Sequence, residues 1–120
     1  MALIVQKYGG TSVGSTDRIR NVARRVAHFH KQGHQMVVVV SAMSGETNRL
    51  LALAKELSAN PNPRELDVVA ATGEQVTIGL LAIALEEMGI GARSYTGGQV
   101  RILTDNAFTK ARILDIDESN

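Results

Sequence analysis

The residues best suited to chemistry lie near the start of the chain, in Lys7-Tyr-Gly-Gly-Thr-Ser12. An apolar run, Leu3-Ile-Val5, leads into them, and a helical pattern begins just beyond Gly14. A buried strand, a glycine-rich turn and a helix N-terminus in that order make a natural anion site. Glycine lets the backbone approach a ligand closely, the first N–H groups of a helix lack intrahelical partners, and Lys7 adds a full positive charge. The ligand this arrangement predicts is a phosphate group. The plainer alternative is an ordinary strand-to-helix turn built from the same residue types.

A second cluster, Ser41-Ala-Met-Ser-Gly-Glu-Thr-Asn48, follows the strongest strand in the sequence, Met36 to Val40. That continuous β-branched run predicts a strand covered on both faces. Behind the cluster, Leu50, Leu51, Ala54 and Leu57 mark a helix, so the layout repeats the first unit. Two such turns at the C-terminal ends of neighbouring parallel strands would face one crevice, where open α/β sheets bind ligands. Helix capping is the competing role for Ser41, Ser44 and Thr47 and is expected of at least one of them; cap and ligand contact can share a turn. Glu74, beside Gly73 at the mouth of an apolar helix, reads equally as a helix-dipole partner or as a hook for an ammonium group. His30 and His34 stand four apart, but Gly33 ends the helix between them and no HExxH pattern accompanies them, so no metal site is expected.

Several elements must position these groups. Ser15, Thr16 and Asp17 are all suitable N-caps, and Ile19, Val22, Ala23, Val26 and Phe29 recur at helical spacing, predicting a helix to about His30 with Gly33 as its stop. Arg18, Arg20, Arg24, Arg25 and Lys31 then form a solvated outer face rather than a nucleic-acid surface. Asn60-Pro-Asn-Pro63 reads as a surface loop, with Asn62 as cap, Pro63 at the first helical position and Glu65 placed for a capping box. That helix meets Thr72-Gly-Glu74 after about two turns. A second, almost fully apolar segment runs from Gln75 to Met88 and calls for burial or a docking partner. Beyond Gly89, Ala92 to Thr96 reads as a third strand, Gln99 to Asp105 as a hairpin element, and Arg112 to Ile116 as a fourth strand leading out through Asp117 to Asn120.

Composition narrows the class. At 120 residues, 44% hydrophobic and 21% charged, the chain has the make-up of one ordinary globular domain or part of one. Aromatics at 3% leave almost no stacking platform for single-stranded nucleic acid, and a net charge of +1 gives little attraction to DNA or anionic membranes. The absence of cysteine excludes disulfides and thiolate metal sites and fits a reducing compartment. No uninterrupted apolar run approaches a bilayer-spanning length, and Lys7 with its two glycines breaks any signal-peptide pattern. The expectation is a cytoplasmic α/β protein with no membrane or nucleic-acid partner.

Four segments carry a resemblance: Lys7-Tyr-Gly-Gly-Thr-Ser12, Val38-Val-Val-Ser-Ala-Met-Ser-Gly45, Ala71-Thr-Gly-Glu74 and Phe108-Thr-Lys-Ala-Arg-Ile113. Together, and in this order, they resemble the N-terminal half of the catalytic domain of the aspartate kinases, within the amino acid kinase family. The first is shared in looser form by kinases of glutamate, acetylglutamate and UMP; the second and third narrow it to aspartate. The resemblance implies a three-layer α/β/α sandwich around a mainly parallel sheet, incomplete here on its C-terminal side. It implies transfer of the γ-phosphoryl group of ATP, with Mg²⁺, to the side-chain carboxylate of L-aspartate, at the opening of lysine, threonine and methionine biosynthesis, with no tightly bound cofactor.

By that resemblance Lys7 would reach the transferring phosphate, and Tyr8, Gly9, Gly10, Thr11 and Ser12 would lie along its path. Ser41 and Thr47 would lie near the aspartate, and Glu74 would take its α-ammonium group. The nucleotide-binding half and the regulatory ACT domains would follow residue 120. Residues 1–120 alone would then be an inactive substrate-side part, assembling as a homo-oligomer or with the remainder of the enzyme. Two rivals remain: a relative acting on another acid or on UMP, and a non-catalytic α/β module that assembles through its apolar helix.

Overall fold

The computed structural model describes residues 1–119; Asn120, the last residue of the expected strand exit, lies outside the described residues. Strand β1 (Leu3–Tyr8) leads through a short 3-10 turn (Gly10–Val13) into helix α1 (Thr16–Lys31), which returns to strand β2 (Gln35–Val40). Helices α2 (Glu46–Leu57) and α3 (Pro63–Glu87) follow, then the short strands β3 (Ile102–Thr104) and β4 (Ile113–Ile116). β1 and β2 pair in parallel from Leu3↔Gln35 to Tyr8↔Val40, so both strands end level. β3 and β4 form a separate antiparallel hairpin, irregular at Leu103/Thr104. The chain is α/β, as its alternating pattern predicts.

α1 forms where capping and periodicity agree. The Ser15 hydroxyl accepts the Arg18 N–H at 3.2 Å, and the helix buries Ile19, Val22, Ala23, Val26 and Ala27 on one stripe. It stops at Gln32, and Gly33 takes φ +93°, a conformation open to glycine without steric penalty. That stripe, with Val13, Val40, Leu81, Leu85 and Ile90, makes the core.

α3 corrects the expectation of two segments. Thr72-Gly73-Glu74 does not break it; 25 residues run as one helix from an Asn62 cap, whose side chain accepts the Arg64 N–H at 2.9 Å. Glu65 pairs with Arg64 at 2.6 Å instead of closing a capping box. Gly73 is a packing residue: a Cβ there would stand 3.1 Å from the Ala42 Cβ and 3.5 Å from the Leu50 Cδ1. Being continuous, α3 also has the length and mean hydropathy (1.7) of a membrane-crossing helix, contrary to the sequence-based expectation. It buries Gly73, Thr77, Leu81 and Leu85 and packs on α1, α2 and β2, but only 22% of its apolar window is buried and Val68, Val76 and Ile83 stay exposed.

Two further expectations differ from the structure. Ala92 to Thr96 joins no ladder, since the described residues offer it no partner strand. The cover expected on both faces of β2 exists on one: Met36, Val38 and Val40 face inward, whereas Val37 and Val39 are 46% and 49% exposed.

These contacts set two expectations for stability. Ser15→Ala removes the α1 cap and should lower unfolding stability by about 1 kcal/mol, read as a lower urea midpoint at unchanged slope. At Gly73 alanine should be nearly neutral, because gained helix propensity of about 1 kcal/mol offsets the tight contact. Valine has no such room and should lose about 1–3 kcal/mol. Equal midpoints for the Gly73→Ala and Gly73→Val proteins would refute the close packing at Ala42.

Candidate functional site

The two loops that leave the sheet at the C-terminal ends of β1 and β2 lie against each other. The Ser41 N–H donates to the Tyr8 carbonyl at 3.2 Å, and the Ser44 N–H donates to the Gly10 carbonyl at 3.1 Å. Gly10 is needed for that approach, because a Cβ on it would sit 3.0 Å from the Ala42 carbonyl oxygen. Gly14 is nearly as tight, its Cβ position falling 3.3 Å from the Ser44 Cβ.

Between the loops opens a cleft of about 350 Å³, lined by Gly10 and Thr11 on one side and by residues 42–45, Thr47 and Asn48 on the other. α2 starts at this cleft. Gly45, at φ +80°, occupies its N-cap position and supplies no side-chain acceptor. This corrects the expectation that Ser41, Ser44 or Thr47 caps the helix: none does, and none of their hydroxyls has a hydrogen-bond partner among the described residues. The backbone N–H groups of Thr47 and Asn48 likewise have no acceptor among the described residues, nor do those of Gly9, Gly10 and Thr11. Uncommitted N–H groups from a glycine turn and a helix N-terminus, at one cleft, suit a bound anion.

Among the described residues no charged side chain lines the cleft, and Lys7, expected to serve it, is not among its lining residues. The Glu46 carboxylate is held by Arg49 through two contacts, at 2.6 and 3.0 Å, and this hydrogen bonding lowers its pKa from the ordinary carboxylate value. Lys7 lies on the open face of the sheet, opposite Val39, exposed and without an ion pair among the described residues. Among the described residues no three His, Cys, Asp or Glu side chains come together as a metal ion requires. His34 instead accepts the Ala2 N–H at 3.1 Å, and His28 contacts Gln32.

The structure thus brings Gly10, Thr11 and Thr47 to one cleft, with Gly9 beside it and Ser41 at the point where β2 enters the loop. Tyr8 and Ser12 lie elsewhere, in a second cleft of about 510 Å³ shared with Arg18, Asn21, Val22 and Arg25. The Tyr8 hydroxyl donates to Gln6 at 2.8 Å, and burial raises its pKa, partly offset by Arg25. Glu74 sits mid-helix, exposed, one residue beyond the Gly73 that packs on Ala42 and Glu46. With no helix start beside it, the dipole-partner reading of Glu74 falls away. Ser44, Gly45 and Asn48, members of the same cluster at residues 41–48, line the cleft as well, Gly45 as the N-cap of α2 and Asn48 in its first turn.

Comparison with known proteins bears on this geometry. Residues 2–119 match the model of the amino acid kinase family. The chain is 68% identical over 117 residues to an aspartate kinase of Stutzerimonas stutzeri, covering 98% of this chain and 28% of that protein. It is 63% identical over 120 residues to an aspartokinase of Pseudomonas aeruginosa, covering all of this chain and 29% of that one. The chain therefore spans under a third of these relatives' length. Among solved structures, aspartate kinase from Synechocystis superposes with a TM-score of 0.79 at 52% identity, over 82% of this chain and 17% of that one. E. coli aspartokinase III, solved in complex with lysine and aspartate, superposes with a TM-score of 0.78 over 92% of this chain and 35% of that one; at 22% identity it speaks to the fold alone. The chain belongs to the amino acid kinase family.

Proposed function

We propose that these residues are the substrate-side part of an aspartate kinase, which transfers the γ-phosphoryl group of ATP to the side-chain carboxylate of L-aspartate and yields 4-phospho-L-aspartate. The observation that carries this reading is the single cleft shared by Gly10, Thr11, Thr47 and Asn48, with uncommitted N–H groups on both sides. The names of the relatives favour aspartate over glutamate, acetylglutamate or UMP as acceptor. The same reading places the enzyme in the cytoplasm. Association with further copies, or with the remainder of the enzyme, would cover the open face of the sheet.

The chemistry fits what the chain supplies. Aspartate's carboxylate is ionised at neutral pH, so no general base is required. The difficulty is electrostatic: two unit charges 4 Å apart repel by about 4 kcal/mol at an effective dielectric constant of 20. Lys7 and the N–H groups of Gly9, Gly10 and Thr11 offset that repulsion as charge builds on the transferring group. Ser41 and Thr47 hold the aspartate, and Glu74 takes its α-ammonium. Mg²⁺ enters with ATP as part of that substrate, where it neutralises phosphate charge. Because the cleft is open and bounded on two sides only, residues 1–120 alone are expected to bind aspartate or phosphate weakly and not to turn over.

Two substitutions in the full-length enzyme separate these roles, with aspartyl phosphate trapped as its hydroxamate. Lys7→Ala should lower kcat by about 10²–10³-fold, the scale of losing one preorganised charge-stabilising donor, while KM for aspartate changes little. Glu74→Gln should raise KM for aspartate by about 10–100-fold, the range for a hydrogen bond to a charged group, with kcat nearly unchanged. Unaltered kcat in the first would remove Lys7 from the reaction. Unaltered KM in the second would free Glu74 from the substrate. Faster phosphorylation of glutamate or UMP than of aspartate by the parent enzyme would overturn the assignment itself.

A further inference from the structure

The glycine-rich loop carries its own destabilising element. Gly9, Gly10 and Gly14 fall within six residues, and glycine retains the most conformational freedom when it is not held. Internally the loop is one short 3-10 turn, Gly10–Val13, flanked by bonds from the Ser12 N–H to the Gly9 carbonyl at 3.1 Å and from the Gly14 N–H to the Thr11 carbonyl at 3.4 Å. Two further bonds hold it from outside. One is the Ser44 N–H to the Gly10 carbonyl, from the loop after β2. The other comes from α1: the Arg18 guanidinium donates through Nη1 to the Thr11 carbonyl at 2.8 Å, against 3.1 to 3.4 Å for the Ser44 bond and the two flanking turn bonds.

Arg18 is well placed to hold that bond. Its backbone is fixed by the Ser15 cap, at 3.2 Å. The neighbouring carboxylate, Asp17, is engaged by Arg20 at 2.8 Å, so it does not draw the Arg18 side chain away. Among the described residues Arg18 forms no ion pair. A guanidinium donor to a carbonyl is a charge-assisted bond, stronger than the neutral turn bonds it accompanies. With the Gly9, Gly10 and Thr11 carbonyls all occupied, the N–H groups of the same three residues remain uncommitted, Gly10 and Thr11 lining the cleft and Gly9 next to them.

We infer that Arg18 is a positioning residue for phosphoryl transfer: by clamping the Thr11 carbonyl from the first turn of α1, it holds the glycine loop in the shape that keeps its N–H groups available to an anion. The inference rests on the kinase reading for its catalytic consequence, and on the hydrogen bonds alone for its structural one. Arg18 touches no reacting atom in this scheme. Its effect belongs in kcat, because the loop's N–H groups matter most when charge develops on the transferring group.

Two variants of the full-length enzyme test it, Arg18→Met and Arg18→Lys, with steady-state kinetics and amide hydrogen exchange on each. Arg18→Met should lower kcat about tenfold, leave KM for ATP and aspartate within about twofold, and speed exchange across residues 9–14 while α3 exchanges as before. Arg18→Lys keeps a charged donor and should recover most of the kcat. Unchanged exchange at residues 9–14 in the methionine variant would overturn the clamp. A loss confined to KM for ATP would also overturn it, replacing positioning by simple charge attraction, as would faster exchange in α3, which would show a general loss of fold. Should the loop exchange faster while the parent enzyme phosphorylates no aspartate, the clamp stands and the kinase assignment falls.

Discussion

At the C-terminal edge of the parallel strands, two stretches of backbone run so close together that no side chain fits between them. The room for a Cβ at Gly10 ends 3.0 Å away at the Ala42 carbonyl oxygen, and at Gly14 it ends 3.3 Å away at Ser44. The cleft exists because of this approach, and the approach depends on the register of the sheet. Tyr8 pairs with Val40, so both strands finish level and both loops begin level. A slip of one residue would shift one loop by about 3.3 Å and turn every β-side chain to the opposite face. Val40 in the core and Tyr8, Met36 and Val38 packed against it resist that slip. Hydrophobic packing below the site therefore fixes hydrogen bonding at its mouth.

What the sequence revealed follows the strength of local signals. α1 was legible to within a residue or two because the capping candidates at residues 15–17, the apolar stripe and Gly33 all point to the same helix, which settles on Ser15 as its cap. Gly10, Thr11 and Thr47 were legible as neighbours because each follows a recognisable strand in a parallel pair. The failures share a cause: glycine has several uses that one sequence does not separate. Gly73 resembled a breaker, yet it thins a continuous helix where α3 crosses Ala42. Gly45 went unnoticed among better capping residues, yet its left-handed backbone starts α2 and leaves the nearby hydroxyls uncommitted. The Arg18 contact to Thr11 was illegible for another reason. It joins a side chain to a main-chain carbonyl, which leaves no pattern in residue types.

The open face of the sheet is the remaining constraint. Leu3, Val5, Val37 and Val39 are between 46% and 65% exposed on one surface, an apolar face that α/β layers ordinarily cover. Strand alternation puts Lys7 on that same surface, while Tyr8 turns to the helix side and bonds with Gln6. The residue assigned to the transferring phosphate therefore belongs to the uncovered layer, and the backbone groups that would accompany it belong to the edge.

Site and cover are consequently one problem. An element laid over Val5, Val37 and Val39 would remove water from around the Lys7 stem and lower the dielectric between its ammonium and an anion at the glycine loop. Coulomb attraction scales inversely with that dielectric, so a fall from about 80 towards 20 multiplies the interaction roughly fourfold. Backbone N–H groups gain in the same way, since they need no reorganisation once the loop is clamped. On the proposed reading, an uncovered sheet would hold these groups at reduced electrostatic strength. Lys7 shares its face with exposed Leu3, Val5, Val37 and Val39, so on the proposed reading one covering element would both bury that apolar surface and act on the site.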